Sequence, residues 1–421
     1  MKRSLTSQHG DRQNMGDFAL PRRSYLKLTY NGVDATDEFD SEAFEYNDSA
    51  SGEADTISLT VNNQTGKWVN NYMPQDGDYV DAQVCVENWN GDGDNRSVAC
   101  GQFELDSFKA SGFPSVASLK GISIPIRREF NVTAKNKNYS STTVKSILSE
   151  ICSDAGIELV YESADYDVEE MEQSGKTDMA FAFELCADHN LAMKIYNNKL
   201  VVYDQTDYEK KPAAYSINLS EMQKYTYNCT KSQLYDGVEI QYTNPDSDDT
   251  LTYSYSVPGT DGKRKLFINE QVETYREAEI RAKSRLLENI RDAVSLSVTV
   301  KGDTKHMAAR NVNITGLGKL DGVYFVDSVV HSKSAKGAYT CRLNMHLCVT
   351  HTTFSDAQDS AEPETASGTT YVVKTGDCLW SIARGFYGSG AKYTIIFNAN
   401  RDIIKDPSLI YPGQVLKIPA E

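Results

Sequence analysis

Paired carboxylates are the first residues in this chain that could do chemistry. Two acidic side chains that flank a glycosidic bond can act as general acid and as base or nucleophile, which is how most glycosidases cleave glycans. Neighbouring carboxylates occur at Glu169-Glu170 and at Asp248-Asp249. Both pairs stand in polar stretches that we interpret as loops, where acidic side chains are usually solvated. The pattern does not indicate a catalytic dyad.

Cysteine and histidine could provide nucleophilic or metal chemistry. A thiol nucleophile needs a histidine base and an orienting group, and a metal site needs closely spaced ligands. The six histidines have no recognisable cysteine-protease context, and the eight cysteines show no CxxC or Cys/His ligand spacing. We therefore predict buried, reduced thiols, no catalytic residue, no metal site and no cofactor. The cysteines are Cys85, Cys100, Cys152, Cys186, Cys229, Cys341, Cys348 and Cys378.

Two loop sequences resemble ligand loops. The run "NGDGDN" at 90–95 resembles a calcium loop, but the glycine due after Asp94 is Asn95, and the closing glutamate is replaced by Gly101. The run "TGLGKLDG" at 315–322 could suggest a phosphate loop, but β patterns on both sides leave no helix N-terminus to receive a phosphate. We predict a turn at each.

Overall charge argues against other classes of partner. The chain of 421 residues has 43 Lys and Arg against 59 Asp and Glu, a formal charge of -16. An acidic surface repels phosphate backbones and anionic lipid, so we expect no sequence-specific nucleic-acid binding. No apolar run approaches the ~20 residues of a membrane helix, and the N-terminus lacks the apolar core of a signal peptide. We predict a soluble chain with no membrane span.

Alternating apolar residues predict antiparallel strands in residues 25–130. One example is Ile57, Leu59 and Val61, and another is Val80, Ala82, Val84 and Val86. Turn sequences such as "NNQTG" and "ASGFPS" separate these runs. We therefore predict a first β-barrel domain over 25–130, preceded by an N-terminal arm over 1–24.

A helical period replaces the β pattern in residues 131–210. The stretch "STTVKSILSEICSDAG" predicts a helix capped by Thr142 or Thr143 and ended by Gly156, and Thr177 is expected to cap a second one. The pair Asn197-Asn198 predicts a hairpin turn. This region is predicted to be a small α/β insert domain.

The β signal returns in residues 211–351, where one long helix is predicted within "QVETYREAEIRAKSRLLENI". Residues 352–369 are rich in Ser, Thr, Ala, Asp and Glu, which predicts a flexible linker. Residues 370–421 are predicted to form a further domain. The predicted fold class is α+β and mainly β.

The C-terminal stretch resembles a LysM domain along its full length. Its matching positions are Val373, Gly376, Asp377, Leu379, Trp380, Ile382 and Ala383, then "NAN" at 398–400 and "LIYPGQVLKIP" at the end. The resemblance implies a βααβ fold. We expect Gly376 and Asp377 to turn the chain, and Trp380 and Ile382 to fill the core.

In the LysM family the glycan groove lies between the first strand–helix loop and the loop before the last strand. The resemblance maps these walls onto Gly376, Asp377, Cys378 and Leu379, and onto Arg401, Asp402, Ile403 and Ile404. Position 378 is Cys where the family usually has Thr or Ser. The implied ligand is peptidoglycan glycan, and the alternative is docking on a protein. The missing hydroxyl slightly favours docking.

The preceding residues resemble baseplate hub proteins of contractile phage tails, the late-control D family, in versions from prophages of Gram-positive bacteria. The resemblance rests on the order of several segments along nearly the whole chain. They are "GEADTISLTVNN", "CGQFELDSFKASGFPS" with "LKGISIPI", "KNKNYSSTTVKSILSEI", "QSGKTDMAFAFELC", and "EAEIRAKSRLL" with "VSLSVTVKGD" and "ITGLGKLDGVYFVDSV".

That resemblance implies two related antiparallel β-barrel tube domains around an inserted domain. It also implies a homotrimer that forms a pseudo-six-fold ring between a hexameric tail tube and a trimeric spike. The implied partners are the tail tube protein, the central spike, the baseplate wedge proteins and the tape-measure protein. The implied location is a virion tail or phage-like particle assembled in the bacterial cytoplasm.

Two other functions stay open at this point. A LysM domain often accompanies cell-wall hydrolases, so a LysM-targeted hydrolase is one alternative. A structural protein of the cell wall or spore envelope is the other. Because no catalytic constellation emerges from the residues, we favour a structural, non-enzymatic hub.

Overall fold

The computed structural model describes residues 20–37, 41–123, 128–243, 250–257, 263–272, 274–334, 338–348, 369–373, 377–401, 403–404, 407, 410–411 and 414–419. Residues 1–19 of the predicted arm, residues 352–368 of the predicted linker and the pair Asp248-Asp249 lie outside them. The mainly β α+β fold class predicted from the sequence is confirmed. The exact boundaries between domains stay predictions.

The N-terminal β region begins at Arg23 and is built from seven described strands and a short helix. They are β1 (Arg23–Tyr30), β2 (Val33–Asp34), β3 (Ser41–Ser49), β4 (Thr56–Asn62), α1 (Lys67–Asn70), β5 (Tyr79–Glu87), β6 (Arg96–Ser111) and β7 (Val116–Ile122). Ile57, Leu59 and Val61 are all buried, so the alternation along β4 places one face of the strand in the core, as predicted.

The α/β insert follows a short helix, α2 (Arg128–Val132). Its elements are β8 (Ala134–Thr143), α3 (Val144–Ala155), β9 (Glu158–Glu162), β10 (Asp167–Thr177), α4 (Asp178–Asp188), β11 (Leu191–Tyr196), β12 (Lys199–Asp204) and α5 (Gln205–Glu209). The Thr143 hydroxyl accepts a hydrogen bond from the Ser146 N–H at 3.2 Å, and Gly156 ends α3 with φ 66°. Thr177 caps α4 in the same way. These predicted caps are confirmed.

Two predictions for loops have different outcomes. Asn197 and Asn198 adopt φ 48° and 59° between β11 and β12, which suits a two-residue hairpin turn and confirms the prediction. Glu169 and Glu170 lie within strand β10, so their assignment to a loop is wrong. Both side chains are exposed. The sequence around this pair contains too few apolar residues to show the alternation of a strand, because β10 is polar along most of its length.

The C-terminal β region and the last domain complete the chain. Their elements are β13 (Tyr215–Asn218), β14 (Met222–Cys229), β15 (Gly237–Thr243), β16 (Thr250–Ser256), β17 (Lys265–Ile268), α6 (Tyr275–Ala293), β18 (Val294–Lys301), β19 (Asn311–Thr315), β20 (Gly322–Lys333), β21 (Thr340–Leu347), β22 (Thr369–Val372), α7 (Leu379–Tyr387), α8 (Tyr393–Ala399) and β23 (Val415–Ile418). The βααβ order of the last domain is as predicted.

Strands from both β regions belong to one sheet. Its hydrogen-bonded order is β14-β18-β21-β20-β3-β4-β7-β6-β5-β1-β2, with β19 also paired to β20 and β13 to β19. The junction is the antiparallel pair of β20 and β3, which runs from Ser328 opposite Ser49 to Lys333 opposite Phe44. Strands far apart in sequence therefore form one continuous sheet. The sequence predicted two β domains but not that their strands pair with each other.

One hydrophobic core underlies this sheet. It joins Leu28, Tyr46 and Phe103 from the first region with Val298 and Leu343 from the second. The insert has its own core between α3, α4 and the sheet of β9, β11 and β12. A separate small sheet, β16-β15-β17, packs on α6 and was not distinguished from the surrounding β pattern in the sequence.

Buried charges connect the insert to the sheet. The Lys194 ammonium, on β11, forms ion pairs with Asp48 on β3 and, at 3.3 Å, with Asp55. The Asp48 and Asp55 side chains are 1% and 0% exposed. Asp48 also accepts the Ala308 N–H at 2.8 Å, and Asp55 accepts the Ser49 N–H at 2.9 Å. Because burial makes unpaired charges costly, these contacts fix where the insert sits.

A second buried network connects α5, α6 and β21. The Glu209 carboxylate accepts from the Arg291 guanidinium at 2.6 Å and lies 3.4 Å from His346 Nε2, while His346 Nδ1 lies 2.7 Å from Asp327. Burial opposes protonation of His346, but Asp327 and Glu209 outweigh it and raise its pKa to about 9. The imidazole is therefore a cation at neutral pH.

Six of the eight cysteines are buried, as predicted, and all eight are free thiols. The prediction of buried thiols is wrong for Cys229 and Cys378, which are exposed. Cys229 ends strand β14 at the margin of the sheet, and Cys378 caps a helix. In the described part of the chain, no helix combines the length and apolarity needed to cross a membrane.

Candidate binding groove of the C-terminal domain

The C-terminal domain packs two helices against a two-stranded sheet. β22 and β23 pair in antiparallel register, from Thr369 opposite Ile418 to Val372 opposite Val415. Buried Asn400 holds the end of α8 against β23, because its side chain donates to the Lys417 carbonyl at 2.6 Å and accepts the Lys417 N–H at 2.7 Å. The Tyr387 hydroxyl donates to the Pro419 carbonyl at 2.9 Å. These bonds hold the ends of α7 and α8 against β23 and the residue that follows it.

Cys378 is the N-cap of helix α7. Its sulfur accepts the Ser381 N–H at 3.4 Å, and the Ser381 hydroxyl in turn accepts the Cys378 N–H at 3.1 Å. This is the reciprocal arrangement of a capping box, with sulfur in the place of a hydroxyl oxygen. The Ser381 hydroxyl and the N–H groups at the helix start lower the pKa of the Cys378 thiol. The departure from Thr or Ser thus leaves the helix start intact.

The structure divides the eight predicted groove residues into three sets. Gly376 and Asp402 lie outside the described residues. Leu379 and Ile404 are each 1% exposed and pack in the same core, which brings the two predicted walls to one part of the domain. Their side chains are therefore unavailable to a ligand. Asp377 is half-buried, and Cys378, Arg401 and Ile403 are exposed.

The two charged groove residues that the structure describes, Asp377 and Arg401, are both held by neighbours. The Tyr371 hydroxyl donates to the Asp377 carboxylate at 2.8 Å. The Arg401 guanidinium donates to the Asn398 side-chain carbonyl at 3.1 and 2.8 Å and lies over the Phe397 ring. Asp377 and Arg401 thus present opposite charges from the two predicted walls. Such an arrangement suits hydrogen bonding to hydroxyl and amide groups.

Two aromatic residues on this domain were not predicted to be exposed. Trp380 is 51% exposed, so its assignment to the core is wrong, whereas Ile382 is buried as predicted. The Trp380 indole covers Gly390, where a Cβ atom would lie 2.1 Å from the ring. Tyr411 is 55% exposed. Trp380 directly follows Leu379 in α7. The helical period places only one of two adjacent residues in the core, so the sequence pattern could have indicated that Trp380 is exposed when Leu379 is buried.

The one close thiol–imidazole contact that we find in the described chain lies in the sheet core. Cys341 Sγ is 3.3 Å from His331 Nδ1, and both residues are 0% exposed. Burial raises the pKa of Cys341 to about 12 and lowers the pKa of His331 to about 4. Both groups stay neutral and closed to solvent, so this pair is unsuited to nucleophilic attack.

Metal chemistry has no candidate among the residues that the structure describes. There, no three His, Cys, Asp or Glu side chains converge in a way that could hold a metal ion. The hairpin tip at 90–95 instead folds on itself, since Asp94 accepts from the Asn90 N–H and pairs with Arg96. At 315–322 a single 3₁₀ turn, Gly318–Leu320, leads into β20. Both segments are turns, as predicted.

Comparison with known proteins identifies a domain family at the C-terminal end of the chain. A family model of the LysM domain matches residues 371–419. The chain is 33% identical over 123 residues to the potassium binding protein Kbp of Escherichia coli O6:H1, and 39% identical over 66 residues to the uncharacterized protein YqbP of Bacillus subtilis. These matches span 29% and 14% of this chain, and 63% and 30% of those proteins. The chain thus covers less than two thirds of either.

Solved structures resemble the larger part of the chain. The 43 kDa tail protein of prophage MuSo2 from Shewanella oneidensis gives a TM-score of 0.60 at 13% identity, covering 78% of this chain and 100% of that one. A tail protein from Neisseria meningitidis gives 0.59 at 14% identity, with 77% and 96% covered. Prophage tail protein gp18 from Listeria monocytogenes gives 0.51 at 12% identity, with 73% and 89% covered. The chain has the fold of these tail proteins and carries a LysM domain.

Proposed function

We propose that this chain, which joins the fold of phage tail proteins to a LysM domain, is the non-enzymatic hub of a contractile tail baseplate. In this role it connects the tail tube to the central spike and the wedge proteins, in a virion tail or a phage-derived injection particle assembled in the bacterial cytoplasm. The observation that carries the proposal is the continuous sheet through β20 and β3. The whole MuSo2 tail protein aligns with this chain.

The proposed homotrimer is supported by the ends of that sheet. Among the described strands, β14 pairs only with β18, and β2 pairs only with β1. Open strand edges promote pairing with another chain. Because the two ends differ, a contact between them is head-to-tail, and such contacts close into a ring when the rotation between copies allows it. A rotation of one third of a turn gives the trimeric, pseudo-six-fold ring.

The LysM domain is proposed to bind peptidoglycan glycan through the groove of Asp377, Cys378, Arg401 and Ile403. Gly376 and Asp402 belong to the same groove in the sequence prediction, and Leu379 and Ile404 support it from the core. The exposed rings of Trp380 and Tyr411 add flat apolar surface to this domain, which is what sugar faces pack on. Glycan binding would hold the hub at the cell wall while the tail contracts.

Two measurements test the hub. Mass determination of the purified full chain in solution is expected to give three copies, alone or with its tube and spike partners. A strictly monomeric mass under both conditions would contradict the proposal. Incubation with purified peptidoglycan is expected to give no release of soluble fragments. Reproducible lysis would favour the alternative, a LysM-targeted cell-wall hydrolase.

Glycan binding has a separate test. The full chain is expected to co-sediment with insoluble peptidoglycan, and Arg401→Ala is expected to weaken this several-fold. Lys417→Ala, on an exposed position of β23, is the matched control and should bind as the parent does. Equal binding by both variants would remove the groove from the proposal without affecting the hub.

A further inference from the structure

The C-terminal domain contacts the rest of its own chain at the first residue of helix α6. The Tyr275 ring stacks on the Phe386 ring of α7, with centroids 4.3 Å apart and planes at 9°. Gly385 lies beside the same ring, so that a Cβ atom there would be 3.8 Å from it. A parallel aromatic contact of this kind depends on geometry and contributes beyond the area that it buries. It is a specific contact between two residues that are 111 positions apart in the sequence.

Opposite charges face each other next to this aromatic contact. A cleft of about 860 Å³ separates the C-terminal domain from the insert and from α6. Its insert wall carries Asp167, Glu169 and Glu170 from β10, and its C-terminal wall carries Arg384 and Lys392. Helix α6 adds residues of both signs. A Cβ atom at Gly388 would lie 4.0 Å from the Glu169 carboxylate, so the two walls nearly meet there. This arrangement is electrostatically complementary.

A series of contacts leads from this junction to the candidate groove. The Phe386 ring, which stacks on Tyr275, also meets the edge of Tyr371 at 5.6 Å. Tyr371 in turn donates its hydroxyl hydrogen to Asp377 in the first groove wall. Burial and the charge of Asp377 raise the pKa of Tyr275. The start of helix α6 therefore lies close to the groove wall that contains Asp377.

We infer that the LysM domain docks on its own chain, on a surface formed by Tyr275 and by Asp167, Glu169 and Glu170 of β10. The occupant of this surface is the domain that already lies on it, and not a separate baseplate protein. Covalent connection favours this partner, since a tethered domain meets its site at a millimolar effective concentration when the tether can span the distance. Docking places the groove at the junction of insert and helix α6.

Hydrogen exchange of the full chain tests the docking without any ligand. A partner that contacts only the folded domain stabilises it, so docking slows exchange within α7 and α8. Tyr275→Ala is expected to speed exchange in peptides covering 379–399 by about 2- to 10-fold, the range that corresponds to one stacked aromatic pair. Tyr225→Ala replaces an exposed tyrosine on β14 and is expected to leave these peptides unchanged.

A charge reversal provides the second arm. Glu169→Lys is expected to speed exchange in the same peptides, whereas Glu172→Lys, on the same strand but outside the cleft, is not. If Tyr275→Ala also speeds exchange over residues 278–290, it has damaged α6, and the Glu169 variant alone decides. Unchanged exchange in 379–399 for Glu169→Lys would then overturn docking, as would unchanged exchange in both variants. Trimer formation is measured separately, so the hub proposal is not affected by either result.

Discussion

Replacing Lys194 with methionine is the sharpest test of how the insert is held on the sheet. In the native chain one buried ammonium lies between the Asp48 and Asp55 carboxylates. Methionine keeps much of the volume of the side chain but removes its charge. Two carboxylates then stay buried without a cation. We expect the variant to lose about 3–5 kcal/mol in free energy of unfolding, the range found when one partner of a buried ion pair is removed.

The loss should depend on pH in a defined direction. Burial raises the pKa of Asp55 above its ordinary value, although Lys194 opposes this. Without Lys194 the pKa of Asp55 rises further, because the cation that opposed the effect of burial is gone. A carboxyl whose pKa is higher in the folded state contributes stability that is present below its unfolded value of about 3.9 and is lost as pH rises through the folded value. The variant should therefore be closer to the parent at pH 5 than at pH 8.

Denaturant unfolding at pH 5 and pH 8 measures both effects. The matched control is Lys199→Met, which removes a half-exposed lysine paired with Glu158 on the neighbouring strand and should cost about 0–1 kcal/mol. A triple variant with Lys194→Met, Asp48→Asn and Asp55→Asn should recover much of the loss, because no charge stays buried. If Lys194→Met costs no more than Lys199→Met at pH 8, the buried charges do not hold the insert and the reasoning is wrong.

Three further predictions concern single residues. His346 has a pKa raised to about 9, so its contribution to stability is complete below pH 6.5 and is lost as pH rises through about 9. NMR titration of the imidazole should give that midpoint. His346→Gln should flatten the decline of the thermal unfolding temperature over this pH range. Cys378→Ser should keep the start of α7, whereas Cys378→Ala should cost the LysM domain about 1 kcal/mol in denaturant unfolding, and equal stabilities would contradict the cap. Gly390→Ala should displace the Trp380 indole and shift its fluorescence, and an unchanged spectrum would contradict the close contact between the ring and residue 390.

Local sequence signals predicted the short-range structure well. Thr143, Gly156 and Thr177 act through bonds to residues only a few positions away, so their types and spacing were sufficient to locate helix ends. The turn at Asn197-Asn198 is equally local, since asparagine tolerates positive φ. The fold class followed from these elements together with the resemblance to hub proteins.

Long-range pairing could not be predicted in the same way. Strand alternation shows that β3 and β20 each have a buried face, but it does not say that they lie side by side, because their pairing spans almost 300 residues. The same holds for Lys194, which has no sequence neighbour that indicates Asp48 or Asp55. In the groove, motif positions located Cys378 and Arg401. The helical period could have indicated that Leu379 and Trp380 do not share the core, but which of the two is buried depends on how α7 packs.

The seam between β20 and β3 has a mechanical consequence. Six residue pairs join the two strands in antiparallel register. A force that pulls the two halves of the sheet past each other along the strands loads these backbone bonds simultaneously, as in shear, and does not open them one after another. The seam therefore cannot serve as a hinge. Under such a force the two halves of the sheet transmit load as one unit.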